Sequence, residues 1–341
     1  MTTDADLVIV GGGPVGLAAA IEARLAGLSV VVVEARDGTI DKACGEGLMP
    51  GALPLLARLG VEPSGIPLRG VSYRDGRRVA DHRFANGNGL GVRRLELHAR
   101  LTERASSLGV ARVVSKVTSV DQDATGVTVG EVRGRWVIGA DGLHSTVRRS
   151  VGLEGRPGRL RRYGLRQHFH VAPWNDLIEV HWSPGVEAYV TPVSPDVVGI
   201  ALLGRKGTDF ETALAAIPAL ASRLTDAAPA SSLRGAGPLR QWATRPGVGR
   251  VLLVGDASGY VDAITGEGLR LGFAQARAAV EAAVAQNPLG YDDAWRQITR
   301  DFRVLTTALV RAATSPVRRG IVPLARALPS TYGSIVESLA R

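Results

Sequence analysis

Hydrophobic and polar positions change period sharply within the first 34 residues. Asp6–Val10 is one acid followed by a continuous apolar run, the length of a buried strand. Beyond Gly11 the spacing becomes helical from Pro14 to Leu25, with Gly27 just past its end. A second apolar run, Ser29–Val33, is closed by Glu34. Strand, helix and strand predict a βαβ unit. Asp37–Pro50 then reads as a loop and Ala52–Leu59 as a short helix, and residues 66–89 alternate weakly, as a hairpin would. Arg94–Leu108 is helical. Ala111–Val120 and Thr125–Val129 alternate like strands, and Trp136–Gly139 is a short buried strand. Residues 163–204 alternate strongly and predict four antiparallel strands. A helix over 209–226, a strand over Val251–Val254 and an Ala-rich helix over 267–286 follow. In Asp292–Ala313, Trp295, Ile298, Phe302, Leu305 and Leu309 share one helical face, with Arg296, Arg300, Arg303 and Arg311 off it. Such a helix either packs on the body of the protein or lies on a membrane surface.

The first turn carries Gly11-x-Gly13-x-x-Gly16. Gly11 permits the tight strand-to-helix turn, Gly13 lets a pyrophosphate approach the backbone, and Gly16 lets helix and strand pack closely. The helix N-terminus offers free N–H groups to phosphates. Glu34, 18 residues after Gly16, ends the second strand where a carboxylate can accept from ribose hydroxyls. This is a dinucleotide site, and a second such fingerprint does not occur. That argues against reductases built from two nucleotide domains in series.

The expected fold class is α/β. A Rossmann-like nucleotide domain is assembled from residues 1–65, 90–155 and 245–290. It is interrupted by an antiparallel substrate-binding sheet, 66–89 with 156–244, and followed by a C-terminal helical tail, 291–341. The net charge of +9 rests on arginine, since only Lys42, Lys116 and Lys206 are lysines. It favours anionic ligands such as NADPH or an anionic membrane surface. No basic stripe with interleaved aromatics is present, so nucleic acid is excluded as a partner. A single cysteine, Cys44, rules out an internal disulfide and suits a reducing compartment, the cytoplasm. No run of about 18 apolar residues is available to span a bilayer. The apolar start carries Asp4 and Asp6 rather than the basic flank of a signal peptide.

Two more segments carry chemistry. In Trp136–Arg149, WVIGADGLHSTVRR, a strand ends at Gly139-Ala140-Asp141-Gly142 and a helix starts near Ser145, a plausible N-cap. Asp141 sits where its carboxylate can meet a ribose or a cofactor amide. In Val251–Ala276, Gly255-Asp256 follows a strand, and Gly266-x-Gly268 opens the next helix with free N–H groups. Either segment alone reads equally as a capped loop.

Taken with the fingerprint and in this order, they resemble the single-component FAD-dependent aromatic hydroxylases and their relatives, the geranylgeranyl reductases, over about residues 5–290. The resemblance implies that Gly11, Gly13, Pro14, Val15, Gly16, Glu34, Ala35, Arg36, Cys44, Gly45, Val117, Asp141, Gly255 and Asp256 contact FAD. It also implies that Arg94, in Arg94-x-x-Leu97-x-x-x-Leu101, reaches the FAD phosphates, with Arg93 adjacent. Gly266, Gly268 and Leu269 would offer N–H groups at the flavin pyrimidine edge. The GADGLHSTVRR segment is similar to the hydroxylases. GDASGYVDAITGEGL and Cys44-Gly45 are more similar to the reductases, whose Tyr-x-Trp-x-Phe-Pro pocket motif is degraded here to Glu187–Pro192.

Cys44 is either a reactive thiol or a small residue packed near the flavin. His168, with His170 on the same side of its strand, either lines the substrate pocket or lies exposed. Tyr189 either donates to a substrate oxygen or belongs to the core, and Pro192 is the other pocket candidate. No Ser/His/Asp set is present and no metal site is expected. The implied activity is an FAD-dependent oxidoreductase that hydroxylates or epoxidises a small lipophilic or aromatic substrate, with NADPH or NADH as reductant. That reductant is expected at the surface near Asp141 and Arg148. Reduction of alkene double bonds is the alternative. The expected location is cytoplasmic, with the Arg-rich C-terminal helices as a peripheral membrane contact.

Overall fold

In the computed structural model, which describes residues 4–76, 78–156, 158 and 161–341, the first apolar run becomes the heart of a parallel sheet. Ala5–Val10 pairs in parallel with Val30–Glu34 on one side and with Val132–Gly139 on the other. Val251–Leu253 continues the sheet in parallel beyond Val132–Gly139, and Ala111–Val114 does so beyond Val30–Glu34. The runs are continuous because both faces are covered. Helices Pro14–Leu25, Arg94–Ser107 and Gly268–Val284 bury Leu7, Ile9, Val32 and Ile138 on one face. On the other, the 121–129 hairpin and the short helix Thr146–Ser150 cover Val8, Val10 and Val137.

The second sheet runs in the order Arg234–Ala236, Tyr163–His170, Val197–Gly204, Val186–Ser194, Ile178–Ser183, Gly70–Asp75, Arg78–Arg83. The four expected strands and the expected hairpin are all in it. One pairing departs from the expected antiparallel pattern, because Ile178–His181 lies parallel to Val71–Arg74. The alternation of 163–204 reports two covered faces rather than one wet face. Phe210–Ala215 and Pro218–Leu224 cover one of them. The expected single helix over 209–226 is therefore two. Pro218 has no N–H to continue the ladder, so it starts a new helix instead.

The last helices, Ile321–Ala327 and Pro329–Ala340, cover the other face of this sheet. Tyr332 Oη donates to the Val71 carbonyl at 3.2 Å, and His82 pairs with Glu337 at 2.7 Å. The long helix Pro288–Ala313 is held to the body by Trp295 Nε1, which donates to Ser258 Oγ at 3.0 Å, and by a Thr265–Thr306 hydroxyl contact. Its deepest face runs through Tyr291, Thr299, Phe302, Thr306 and Val310, so the expected stripe is turned and Trp295, Ile298, Leu305 and Leu309 are only half-buried. Polar contacts to the 258–265 loop account for the rotation, since Thr306 meets Thr265 and Trp295 meets Ser258. Among the described residues no helix is long and apolar enough to cross a membrane. A small three-stranded patch, Gly47–Leu48, Ile66–Leu68 and Gly89–Gly91, joins the two large sheets beside the cleft between them.

Candidate cofactor cleft

The glycine turn is built as the sequence requires. Gly11 has φ +109°, where a Cβ would strike the Ala140 backbone, and a Cβ on Gly16 would overlap the Gly11 carbonyl. Gly13 is different. It has ordinary extended dihedrals and open space before it, with Arg94 Nη2 3.9 Å from where its Cβ would be. A guanidinium thus faces the free N–H groups of a helix start, an arrangement that attracts a diphosphate. Glu34 accepts from the Gly12 N–H at 2.8 Å and from the Arg36 N–H at 3.1 Å, which fixes its carboxylate at the rim of the turn. Pro14 and Gly16 are buried, Val15 is half-buried against Gly255 and Gly272, and Ala35 and Arg36 are exposed beyond Glu34.

His98 was not among the expected residues, although it directly follows Leu97 of the Arg-x-x-Leu pattern. It is buried, and its Nε2–H donates to the Gly12 carbonyl at 2.9 Å. Burial pushes its pKa down, so the ring is a neutral donor that locks the helix Arg94–Ser107 onto the turn.

The loop before Gly47 is pinned from two sides. Glu46 sits at φ +58°, a left-handed conformation that non-glycine residues adopt only when held. Its Oε1 accepts from the Arg94 N–H at 2.8 Å and its Oε2 is paired with His168 Nε2. His168 is 1% exposed and also contacts Ser231 Oγ at 2.8 Å. Arg166, equally buried, pairs with Asp41 and donates to the Lys42 carbonyl at 3.1 Å. Thr191 Oγ1 donates to the Gly45 carbonyl at 2.8 Å. The second sheet therefore holds residues 41–46 through three side chains, His168, Arg166 and Thr191. His168 neither lines an open pocket nor lies exposed on the sheet; only His170, at the strand end, is exposed. The signal was out of reach of local pattern, because Glu46 and His168 are 122 residues apart.

Held this way, Lys42 enters the cleft, with Nζ 3.5 Å from where a Gly142 Cβ would lie. Desolvation, then Arg94 and Arg36, push its pKa down, while Asp256 and Glu34 act in the opposite sense. The Asp256 carboxylate makes no hydrogen bond among the described residues, and burial raises its pKa against the pull of Lys42 and Arg94. Asp141 caps the short helix, its Oδ2 accepting from Thr146 N at 2.7 Å and Val147 N at 3.1 Å, while Oδ1 is buried. Arg94 Nε is buried as well, and among the described residues neither atom has a partner.

Arg148 is fully buried. Its guanidinium donates to the Ala257 carbonyl at 3.0 Å and the Leu143 carbonyl at 2.9 Å, so it ties the two motif segments together and cannot meet a visiting reductant. At the far end, Gly266 (φ +72°) leads into the helix that begins at Gly268 and Leu269. Tyr189 Oη donates to the Ile264 carbonyl of this loop at 2.9 Å, while Pro192 is buried against Gly91 and Val117 packs at the edge of the parallel sheet. Cys44 is half-buried on the pinned loop.

A family model described as an FAD binding domain matches residues 4–283. The chain belongs to this FAD-binding family. Its fold is shared by a flavoprotein/dehydrogenase of Cytophaga hutchinsonii, with a TM-score of 0.86 at 19% identity over 98% of this chain and 92% of that one. Among curated relatives, a dialkyldecalin synthase of Streptomyces rugosporus is 30% identical over 79% of this chain and 63% of its own length. A menaquinone reductase of Mycolicibacterium smegmatis is 29% identical over 88% and 81%. A 12-dehydrotetracycline 5-monooxygenase/anhydrotetracycline 6-monooxygenase of Streptomyces rimosus is 31% identical over 80% and 61%. The chain thus spans less than two thirds of two of these three relatives. The cleft fits the cofactor. Beside the open space at Gly13, Arg94 Nε, Asp141 Oδ1 and the Asp256 carboxylate are donors and acceptors that no group among the described residues satisfies.

Proposed function

We propose that this FAD-dependent protein is an NAD(P)H-dependent monooxygenase that hydroxylates or epoxidises a small apolar or aromatic, natural-product-like substrate. The observation that carries the reading is the convergence of the pinned Lys42–Gly45 loop and the Gly266–Leu269 helix start at Tyr260, with Tyr189 bonded to the Ile264 carbonyl just before that start. The Tyr260 ring lies 3.4 Å from where a Gly268 Cβ would be, and its hydroxyl is kept protonated by burial, with Cys44 among the groups that face it. The likeness to the tetracycline monooxygenase over 80% of the chain supports the same reading.

In this arrangement Gly13 and Arg94 hold the diphosphate, Glu34 the adenosine ribose, and Asp256 the ribityl hydroxyls. Residues 1–65, 90–155 and 245–290 supply these groups, and the second sheet supplies the substrate side. Bound flavin supplies hydride acceptance and oxygen activation. With the flavin bound, the free N–H groups of Gly268 and Leu269 would stabilise negative charge on it. Lys42 adds a cation to the cleft. Buried His168, Glu46 and Arg166 keep the loop in place and water out.

Cys44 packs rather than reacts in this account. Cys44→Ser, close in size, is expected to keep oxygen-dependent turnover with a packing cost below about 1.5 kcal/mol. Product assayed with and without oxygen checks this. A double bond reduced anaerobically, with that reduction abolished in Cys44→Ser, would establish the reductase alternative instead.

A further inference from the structure

Arg148 is spent on structure, so the anionic reductant needs other cations. We propose that Arg240, Arg303 and Arg311 form an anion site that takes the phosphate groups of the pyridine nucleotide. The proposal rests on the reading of the chain as an NAD(P)H-dependent enzyme.

Two adjoining crevices meet at Val261. One runs from Gly255, Asp256 and Gly268 of the cofactor cleft to Arg303 on the long helix. The other is lined by Arg240, Arg311, Thr307 and the buried pair Arg162–Asp262. Arg303 is sandwiched between Trp242 and Trp295, its guanidinium carbon 4.4 and 5.2 Å from the ring centroids. Among the described residues no carboxylate lies within ion-pair distance of Arg240, Arg303 or Arg311, and none of the three guanidinium groups makes a hydrogen bond. The same helix shows the ordinary alternative, since Arg296 pairs with Asp293 and Arg300 with Asp301. Asp262, the acid within the crevice, lies 3.5 Å from Arg162, which is also paired with Glu187, and it attracts Arg240 from beyond ion-pair distance.

Burial, and then the like charge of Arg240, lower the pKa of Arg303. Arg240 and Arg303, like charges with no carboxylate within ion-pair distance among the described residues, mark a place where an anion lowers the energy. Stacked guanidinium planes present the paired donors that phosphate accepts. Trp242, 43% exposed, offers a flat face beside them for a planar ring. A pyridine nucleotide combines a pyrophosphate with planar rings, and the crevice connects this corner to the cofactor cleft.

The test uses the FAD-loaded protein, with NADP+ binding measured by calorimetry and anaerobic flavin reduction by NADPH followed by absorbance. Arg303→Gln and Arg311→Gln should each weaken NADP+ binding roughly 10- to 100-fold, the scale of one or two charge-assisted hydrogen bonds. The limiting rate of reduction and the FAD content should stay as in the wild type. Arg311 is exposed, so its variant folds even where loss of the Arg303 stack loosens the helix. The salt dependence of binding should become shallower in both. Variants that bind NADP+ as tightly as the wild type would overturn the site and leave the reductant assignment intact. Binding that is lost in the variants, with no flavin reduction by NADPH in the wild type, keeps the site and removes the reductant assignment. A wild type that does not bind NADP+ removes both.

Discussion

Gly13→Val is expected to give a folded protein that purifies without FAD. Its backbone dihedrals suit any residue and its Cβ position is free of protein atoms, so the side chain harms nothing until a diphosphate arrives. The valine then occupies the approach between the helix start and Arg94. The affinity lost should be about 100-fold or more, the worth of two charge-assisted hydrogen bonds. Gly16→Val is the contrasting case. Its Cβ would overlap the Gly11 carbonyl, and the strand and helix must separate, at about 3 kcal/mol or more of folding stability. Flavin absorbance per protein and the urea midpoint distinguish the two. A Gly13→Val protein with full FAD content would contradict the placement of the diphosphate.

His168→Ala should have the second largest effect. It leaves Glu46 buried, with its Oε2 facing a void, and removes the contact to Ser231. Leaving a buried carboxyl oxygen without its hydrogen-bond partner costs about 1–3 kcal/mol. The loss should reach the cofactor as well, because Glu46 also accepts from the Arg94 N–H, and Arg94 faces the glycine turn. Glu46→Gln retains an acceptor for Arg94 and should cost less than His168→Ala. Denaturant unfolding with and without FAD checks both. Stability of His168→Ala within about 0.5 kcal/mol of the wild type, the range of ordinary surface substitutions, would show that the loop is not held through this pair.

The first strand, helix and strand could be read almost residue by residue, because burial on both faces and a glycine turn each leave a local mark. The helix Pro14–Leu25 has the expected bounds, and the second strand, Val30–Glu34, is displaced by one residue at each end. Reading failed where contacts are distant or where a local rule competes with periodicity. Pro218 divides one expected helix into two, and the parallel pairing of Ile178–His181 with Val71–Arg74 depends on a chain return of about a hundred residues. Thr299 and Thr306 are buried at positions where hydrophobicity alone predicts a wet face. In the cleft, the glycines, Glu34, Arg94 and Asp256 stand in recognisable motifs. Lys42, Glu46 and Arg166 carry no such signature, since their positions come from a sheet that the chain reaches much later. Arg148 stood inside a motif and still proved to be a tie between segments rather than a surface cation.

The most direct test of the account is turnover of lipophilic phenols by the FAD-loaded protein with NADPH under isotopically labelled dioxygen. One labelled oxygen atom in the product, with no product in its absence, is the expected result. Product that forms equally without oxygen and carries no label would contradict the monooxygenase assignment.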